Sequence, residues 1–449
     1  MKKRYTQVAP DAEEKQKQQF DSWLNREDIP FENEHARTAY RTRVARLRDA
    51  VRLEAPPDRV PVCPSPGFFP IENAGMSLHE AMYDYKKMAA AWKKYQEEFD
   101  PDAYFPPTSI IPGKVLDILD LKLYQWPGHG VSRERPYQFV EGEYMKVREY
   151  QAFIDDPTAF SIKVYLPRVF GALKALEKMP GMPPPSEIIT LAGGVLPFAE
   201  PGVQKALQDL MQAGTEAARW FGTVRTLNLA TWSKGYPSFS GGLSKAPFDF
   251  VGDSLRGTAG IMMDMYQRPD ELLAACERLV PLMVERGVET ARSNRHSLVF
   301  MPLHKGADGF MSDKHFRTFY WPTLRQVILG MVNEGFVPLL FAEGGYNSRL
   351  EAISDLPRGK TLWWFERMDM ARAKETVGKV ACIAGNVPLS LLLAGSPSEV
   401  EQYCRKLIRE AGKDGGFILT TAAGMTGSRP ENVRAMIECS KEAGIYPLV

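Results

Sequence analysis

The second half of the chain alternates short apolar runs with amphipathic segments, and this alternation constrains the fold more than any other feature of the sequence. Strand, helix and strand in regular succession predict a parallel α/β architecture. The segments between the apolar runs carry apolar side chains at helical spacing. The runs themselves have the length and composition of buried parallel strands, and they are Ser297–Met301, Val337–Phe341, Thr361–Phe365, Val380–Ala384 and Phe417–Thr420.

Two of the intervening segments have recognisable helix ends. The first lies between Ser312, a suitable N-cap, and Gly335, a suitable C-cap, and Pro322 is expected to kink it. The second is expected from about Glu399 to Ala411, with Ser398 before it. Capped helices between buried strands are the βαβ pattern of a barrel.

The first half gives weaker signals. Val60–Val62 and Ile188–Leu191 are predicted strands, and Leu78–Phe99 and Val203–Phe221 are predicted helices. The polar sequence before Ala55 is predicted to be helical and to pack on the outside. The fold class expected is therefore α/β, a (β/α)8 TIM barrel with an N-terminal helical extension. The extension is assigned to residues 1–54 and the barrel to residues 55–449.

Composition excludes several classes of protein. With 44% hydrophobic residues and a formal net charge of +1, the chain has the balance of a soluble globular protein and no electrostatic footprint for nucleic acid. We find no apolar run of signal-peptide or membrane-span length, so a cytoplasmic location without membrane contact is expected. The 5 cysteines form no CxxC pair, which favours reduced, buried thiols.

If the apolar runs are barrel strands, the residues just beyond their carboxyl ends share the face that holds the active site. An imidazole, two carboxylates, an amide and a phenol follow these runs. Such groups bind a metal, move a proton or hold a polar ligand, and the pattern does not choose between these tasks. The residues are His304, Glu343, Tyr346, Glu366 and Asn386.

Glu343 is the strongest candidate for catalysis. A carboxylate at the end of an apolar strand needs a partner, which is either Arg349, Arg367 or a ligand. His304 either hydrogen-bonds a loop or takes part in the chemistry. Glu366 either pairs with its neighbour Arg367 or acts at the site. His304 and Glu343 are also the two candidate metal ligands.

Four further residues have both a structural and a functional interpretation. Asn386 either caps the following helix or binds substrate. Asp253 and Arg256 either reach the mouth of the barrel from a long loop or form an ordinary ion pair. His129, between two glycines, either lines a pocket or closes a turn. We place Asn386, Tyr346, His129, Asp253 and Arg256 with the substrate-binding candidates.

Four short motifs occur in an order that identifies a family. The chain contains Pro57–Val62, Phe99–Asp102, Gly385–Pro388 and Gly416–Leu419. In this order they resemble the uroporphyrinogen decarboxylase superfamily, and the resemblance extends from about Ala55 to the C-terminus. The resemblance implies a (β/α)8 barrel. It also implies one of two activities, porphyrinogen decarboxylation or cobamide-dependent methyl transfer.

The sequence argues against the first activity. The decarboxylases meet a polycarboxylate substrate with arginines in the segment after the first strand. Here that segment is Cys63–Pro70, and no arginine occurs between Arg59 and Arg133. A polyanionic porphyrinogen would lose charge-assisted hydrogen bonds worth about 1.5–3 kcal/mol each. The methyltransferase-like branch is the closer resemblance.

That branch commonly holds zinc with a His-x-Cys pair and a later cysteine. The corresponding stretch here is Phe341-Ala342-Glu343, and the later position falls near Thr420–Gly424, again without cysteine. The zinc-thiolate site is therefore absent or rebuilt. One possibility is that Glu343 and His304 together bind a metal. The other is that Glu343, without a metal, protonates the leaving group as a methyl ether is cleaved.

The resemblance implies an enzyme that moves a methyl group between a small methylated substrate, of methyl ether or methylamine type, and a corrinoid carried by a partner protein. One alternative is transfer from the corrinoid to a thiol or pterin acceptor. Another is a decarboxylase or lyase on a small carboxylated substrate, or a non-catalytic ligand-binding barrel. Some members of the superfamily are homodimers, and the resemblance extends that expectation to this chain.

Overall fold

The structure is a computed structural model and describes residues 5–179 and 187–448. Two sheets are present in these ranges. A small sheet contains β1 (Tyr124–Pro127), β2 (Gly130–Val131) and β3 (Gln138–Phe139), in the order β2-β1-β3. The main sheet has six parallel strands in chain order. They are β4 (Gly242–Leu243), β5 (Leu298–Leu303), β6 (Val337–Gly345), β7 (Leu362–Arg367), β8 (Cys382–Val387) and β9 (Phe417–Thr421).

Two further segments connect the last strand of the main sheet to the first. Val62 forms a parallel bridge with Leu419 of β9, and Tyr104 forms a parallel bridge with Ser238, just before β4. The backbone N–H of Asp102 donates to the carbonyl of Val62 at 2.9 Å. Six strands and two short segments thus form a ring of parallel backbone, which is the arrangement of a (β/α)8 barrel.

The helices of the first half include the N-terminal pair and a long helix that ends before β4. They are α1 (Ala12–Leu24), α2 (Glu34–Arg52), α3 (Phe69–Asn73), α4 (Leu78–Tyr83), α5 (Tyr85–Phe99), α6 (Gly113–Leu119), α7 (Tyr150–Asp155), α8 (Pro157–Phe160), α9 (Leu166–Val169), α10 (Leu191–Val195) and α11 (Pro201–Ser233).

The helices of the second half lie between and after the strands of the main sheet. They are α12 (Pro247–Phe250), α13 (Gly257–Gln267), α14 (Pro269–Ser293), α15 (Asp313–His315), α16 (Trp321–Asn333), α17 (Leu350–Ile353), α18 (Met370–Glu375), α19 (Leu389–Ala394), α20 (Pro397–Ala411) and α21 (Pro430–Ala443). Two π-helical turns interrupt them, Val251–Arg256 and Phe316–Tyr320.

The five strands predicted in the second half are confirmed as β5 to β9, and all five extend further than predicted at their carboxyl ends. One strand prediction in the first half is wrong. Ile188–Thr190 is a 3-10 turn that leads into α10, and Ile188 is 88% exposed. A buried strand needs at least one neighbouring strand to pair with its backbone, and the ring of parallel segments has no position left for this apolar run.

Two details of the predicted helices also differ. α20 begins at Pro397, and Ser396 rather than Ser398 is its N-cap. Pro322 lies at the start of α16, and the irregularity before it is the π-helical turn Phe316–Tyr320. Residues 313–333 are helical without a break, so this turn is the irregularity that a proline inside a helix produces, and the helix continues past it.

The N-terminal helices cover one end of the barrel. Phe20 and Trp23 of α1 and Tyr40 of α2 belong to the same buried cluster as Leu298 and Val337, which begin β5 and β6. The segment lies outside the ring of strands, but its packing is not peripheral. Its apolar side chains complete the core beneath the amino ends of the strands, which leaves the opposite end for a site.

The five cysteines are all buried and free of disulfides. Within the described ranges, no helix combines the length and the apolar character that crossing a membrane requires.

Candidate active site

Side chains alternate between the inside and the outside of the barrel along each strand. On β7, Leu362 and Trp364 belong to the inner core cluster, whereas Trp363 and Phe365 pack against the helices. The next inward position after Trp364 is Glu366. By the same rule, Glu343 is the next residue after Phe341 on β6 that faces the inside of the barrel.

The register of the strands places these positions side by side. Phe341 pairs with Trp364, and Trp364 pairs with Ala384 of β8. Asn386 is the next inward residue on β8, and it pairs with Thr420 of β9. The carboxyl ends of neighbouring strands therefore present Glu343, Glu366, Asn386 and Thr420 to one opening.

A β-bulge aims the carboxylate of Glu343. The pairing of β6 with β7 shifts between Ala342 and Gly345, and Gly344 has φ +81°. The amide of Gly344 donates to Glu366 Oε2 at 2.6 Å. Bulges of this kind re-aim side chains next to active sites, and a residue with a Cβ would be strained at Gly344.

His304 joins two carboxylates at the mouth. Its Nδ1 lies 2.6 Å from Asp253 Oδ2, and its Nε2 lies 3.6 Å from Glu343 Oε1. We call Asp253, His304 and Glu343 the Asp–His–Glu series. Two of its members are accessible to solvent, since the side chain of His304 is 35% exposed and that of Glu343 is 39% exposed.

Two lysines and a second aspartate support the series. Lys305 Nζ lies 2.5 Å from Asp253 Oδ1, and Lys245 Nζ lies 2.6 Å from Asp253 Oδ2. Asp249 is fully buried and accepts the backbone N–H groups of His304 and Lys305 at 3.0 and 2.9 Å. These hydrogen bonds fix the backbone that carries the imidazole.

The two aspartates come from one irregular helix. Asp249 lies in α12, and Asp253 lies in the π-helical turn that follows. Their spacing of four residues places both on one helical face, and π-helical turns are frequent at functional sites. Asp253 therefore reaches the mouth from a helix and not from the long loop that we predicted.

The electrostatic environment sets the proton positions. Burial favours a higher pKa for Asp253, but the hydrogen bond from His304 and the charge of Lys245 outweigh it and hold the pKa far below its usual range. Asp253 is thus a carboxylate, so Nδ1 of His304 carries the proton that it shares with Asp253. Nε2 is left to face Glu343.

His304 and Glu343 both hold protons more tightly than usual. Burial lowers the pKa of His304, but the hydrogen bond with Asp253 and the charges of Asp249 and Glu343 prevail and raise it. Burial raises the pKa of Glu343, and the nearby carboxylates of Asp249, Glu366 and Asp253 raise it further against the opposing effect of His304. Paired groups with shifted pKa values are typical of acid–base chemistry.

An aromatic surface lies below the carboxylates. Phe341 and Trp364 stack at 4.0 Å between ring centroids, Phe300 lies 6.3 Å from each, and Phe105 lies 5.9 Å from Trp364. We call Phe105, Phe300, Phe341 and Trp364 the aromatic floor. The inward-facing Leu243, which pairs with Phe300, is 44% exposed, so the barrel is open above the floor.

The side-chain amide of Asn386 makes a hydrogen bond through its nitrogen but none through its oxygen. Its Nδ2 donates to the carbonyl of Met368 at 2.9 Å. Its Oδ1 has no hydrogen-bond partner, although the residue is only 5% exposed. The N-cap of the following helix, α19, is Pro388, so Asn386 does not have the capping role that we considered.

Tyr346 lies behind the mouth and not on it. It is fully buried, and its hydroxyl lies beside Tyr320 and Gly306. Tyr320 donates to Asp249 Oδ2 at 2.7 Å. Tyr346 therefore packs beside Tyr320, and it is Tyr320 that holds Asp249.

Two predicted residues have their principal contacts elsewhere. Arg256 is buried in an ion pair with Asp264, at 2.5 Å, and is not the partner of Asp253. His129 stacks on Trp126 at 4.5 Å and lies 3.2 Å from Asp117 in the first half of the chain. The structure does not bring either residue into the cluster at the mouth.

The partner predicted for Glu343 also differs. The buried guanidinium of Arg349 donates to the carbonyls of Gly306 and Met311, and Arg367 lies 3.6 Å from Glu366. The positive group nearest to Glu343 is His304. The predicted proximity of Glu366 to Arg367 is present, but the side chain of Arg367 is 80% exposed, so this ion pair contributes little to stability.

Sequence reasoning missed Lys245 and Asp249. Asp249 has a detectable signal, since a carboxylate four residues before Asp253 in an apolar helix needs a partner. Lys245 has none, because its contact with Asp253 depends on how the end of β4 meets the π-helical turn.

The described residues do not fit a zinc site. Within residues 5–179 and 187–448, no group of three or more His, Cys, Asp or Glu side chains is arranged to hold a metal ion. Cys63 and Cys382 lie inside the barrel. Burial raises the pKa of both thiols above the usual range of cysteine. These thiols are not poised as thiolate ligands.

Comparisons with known proteins agree with this architecture. The family model for uroporphyrinogen decarboxylase (URO-D) matches residues 238–443, which carry the six-stranded sheet and the Asp–His–Glu series. A solved structure of a methyltransferase from Methanosarcina mazei is similar with a TM-score of 0.57 and 16% sequence identity, over 89% of this chain and 98% of that chain. At that identity the likeness concerns the fold alone. No curated protein sequence matches the chain. The predicted resemblance to the uroporphyrinogen decarboxylase superfamily is therefore confirmed by the family match over residues 238–443, and the solved methyltransferase structure shares the fold.

Proposed function

We propose that this chain is a methyltransferase that moves a methyl group from a small methylated substrate, of methyl ether or methylamine type, to the cobalt of a corrinoid carried by a partner protein. The observation that supports it best is the Asp–His–Glu series at the open, carboxyl end of the barrel. The resemblance to a methyltransferase fold agrees with it.

Methyl transfer requires the heteroatom to depart with its bonding electrons. An oxygen or nitrogen departs easily when it leaves as a neutral, protonated group, and a positioned acid typically contributes about 10²–10⁴-fold to such a rate. The carbon–heteroatom bond breaks, the reduced cobalt supplies the electron pair for the new cobalt–carbon bond, and the heteroatom keeps a proton. The corrinoid is a substrate of this reaction.

Each member of the series has a role in holding that proton. Glu343 delivers it to the heteroatom or stabilises it there, since its raised pKa favours the protonated form. His304 holds Glu343 in place and returns a proton to it through Nε2. Asp253 is a positioning residue that keeps the proton of the imidazole on Nδ1. No step requires a metal bound by this chain.

The arrangement is less suited to a polycarboxylate substrate. Lys245 and Lys305 both lie against Asp253, and Arg59 is paired with the buried Asp102 at 2.7 Å. These cationic groups already have anionic partners. The mouth otherwise presents the carboxylates of Glu343 and Glu366, which would repel a substrate with many carboxylates.

The test is a methyl-transfer assay with chemically reduced cobalamin as the acceptor. A methyl ether and mono-, di- and trimethylammonium salts are offered as donors, and methylcobalamin is followed by its absorbance. We expect at least one donor to methylate cobalamin faster with the protein than without it. Failure of every donor, together with carbon dioxide release from a small carboxylated substrate, would contradict the proposal and support the decarboxylase alternative.

A further inference from the structure

We propose that the methyl donor is a methylated ammonium cation that carries at least one N–H bond, held between the aromatic floor and the acceptors above it. This inference rests on the proposed function, because it names the substrate of the same site. It selects the amine over the ether. The acceptors are Glu343, Glu366 and Asn386, and we call them the acceptor rim.

The aromatic floor offers the surface that such a cation requires. Phe105, Phe300 and Phe341 are half-buried although they lie inside a barrel, so parts of their rings face the opening. Trp364 is held in place by a 2.8 Å hydrogen bond from its Nε1 to the carbonyl of Thr421. Methylated ammonium groups bind within about 6 Å of aromatic ring centres, through the negative face of the ring.

The acceptor rim lies directly above this floor. Glu343 is two residues beyond Phe341, and Glu366 is two residues beyond Trp364. Both carboxylates thus share the opening with the rings. The negative charge of Glu366 is one of the causes that raise the pKa of Glu343. A ligand between the floor and the rim is in contact with π faces and carboxylate oxygens at once.

The unpartnered Oδ1 of Asn386 specifies a hydrogen-bond donor. Its Nδ2 is fixed by the carbonyl of Met368, so the amide cannot turn without losing that bond. Oδ1 is therefore a buried acceptor without a partner, on the residue of β8 that pairs with Thr420 of β9. A buried acceptor of this kind is expected to receive a bond from a ligand. An N–H of an ammonium group supplies it, whereas an ether oxygen does not.

The neighbouring cations do not meet this demand. Lys245, Lys305 and His304 all contact Asp253 at 2.5–2.6 Å. Arg367 lies 3.6 Å from Glu366, but its side chain is 80% exposed, so the buried Oδ1 of Asn386 still lacks a donor. A neutral ether would use the proton of Glu343 but would leave Oδ1 of Asn386 without a donor. A methylated ammonium cation donates its N–H bond to Oδ1 of Asn386 and places its positive charge beside the carboxylates of Glu343 and Glu366.

Methyl transfer from an ammonium cation balances without a proton donor. The carbon–nitrogen bond breaks, and its electron pair stays on nitrogen, which leaves as a neutral amine. The methyl carbon forms its new bond with the electron pair of the reduced cobalt. No proton moves in this step, because the leaving nitrogen already carries its own. Glu343 then acts as a carboxylate that holds the cation.

The experiment measures binding to the protein alone by isothermal titration calorimetry. The ligands are trimethylammonium chloride, tetramethylammonium chloride, which lacks the N–H bond, tert-butanol as a neutral ligand of similar size, and methoxybenzene as an ether. We expect trimethylammonium to bind best, tetramethylammonium about tenfold more weakly, and tert-butanol weakest. Binding of the ammonium ligand is also expected to release protons from Glu343, measured as a dependence of the heat on the buffer.

Matched variants distinguish the loss of a ligand contact from a general loss of stability. Phe341→Leu and Glu366→Gln are each expected to weaken trimethylammonium binding by about tenfold or more, whereas Phe341→Tyr, which keeps the ring, retains it. Phe198→Leu is the control, since Phe198 packs against another cluster in the first half of the chain. Thermal melting of each variant shows whether the fold is intact.

The outcomes distinguish the two proposals. If methoxybenzene is demethylated and trimethylammonium binds no better than tert-butanol, the ammonium site is wrong and the proposed function stands. If trimethylammonium binds and no donor methylates cobalamin, the binding site stands and the proposed function is wrong. Binding that Phe341→Leu and Phe198→Leu reduce equally contradicts the role of the floor.

Discussion

At the scale of single residues, what the sequence reveals depends on whether the partner is near in the chain. Glu343 and Glu366 are predictable, because each follows an apolar strand whose carboxyl end must lie at the mouth. The contacts of Asp253 are not predictable, because Lys245 reaches it from the end of β4, and His304 and Lys305 reach it from the end of β5. Arg256 illustrates the same point, since its carboxylate partner is Asp264 in the next helix and not its neighbour Asp253.

Glu343 is expected to reduce stability at neutral pH. Its folded-state pKa lies above the unfolded value of 4.5, so its contribution is favourable at pH values below 4.5 and is lost as the pH rises through the folded pKa. Glu343→Gln should therefore raise Tm above that pH and leave it unchanged near pH 4. Thermal melts of both proteins across pH 4–8 measure this. A Tm that falls at neutral pH would show that ionised Glu343 is stabilising.

Asp253 is expected to control the titration of His304. The wild-type imidazole should titrate above 6.5, and Asp253→Asn should lower its pKa because a hydrogen-bonded negative charge is lost. Nuclear magnetic resonance of histidine-labelled protein measures both values, with His304→Gln to assign the signal. Asp355→Asn, at a carboxylate that is 74% exposed, is the control. A wild-type value below 6.5 contradicts the series.

At the scale of helices and strands, periodicity identified the strands of the second half but not their ends. β6 continues to Gly345 through a bulge, which brings Glu343 into the strand itself. Bulges and π-helical turns add one residue to a regular pattern, so they arise from tertiary contacts that periodicity does not report. The apolar run at Ile188–Leu191 shows the opposite error, since apolar composition alone does not provide a neighbouring strand.

The N-cap of α20 offers a test of a local signal. Ser396 accepts the N–H of Glu399 at 3.3 Å, and Glu399 accepts the N–H of Ser396 at 2.7 Å, as a capping box does. Ser396→Ala should cost about 1 kcal/mol of the free energy of unfolding. Ser398→Ala, two residues further on, should cost much less. Urea denaturation measures both, and an equal loss in the two variants contradicts the assigned cap.

At the scale of the whole molecule, the N-terminal helices and the site occupy opposite ends of one barrel. The helices bury aromatic side chains against the amino ends of the strands, and the carboxyl ends remain open for substrate. This division explains why the polar N-terminal sequence was predicted to pack outside. Its few apolar residues are sparse in the chain, and only the fold shows that they join one buried core.

Trp23 tests whether α1 is part of the core. It is fully buried, and Trp23→Ala should lower the free energy of unfolding by about 3–5 kcal/mol. Lys17→Ala, on the exposed side of the same helix, should leave it nearly unchanged. The two variants are compared by denaturant unfolding. A loss below about 1 kcal/mol for Trp23→Ala would show that the helix is an appendage.

The most direct test of the account is the kinetics of methyl transfer to reduced cobalamin by the wild-type protein, Glu343→Gln and Glu351→Gln. Glu351 is an acidic control whose side chain is 90% exposed. We predict that Glu343→Gln lowers kcat/KM by about 10² or more, mainly through KM for an ammonium donor and through kcat for an ether, and that Glu351→Gln does not change it. Equal rates in the wild type and in Glu343→Gln would contradict the account.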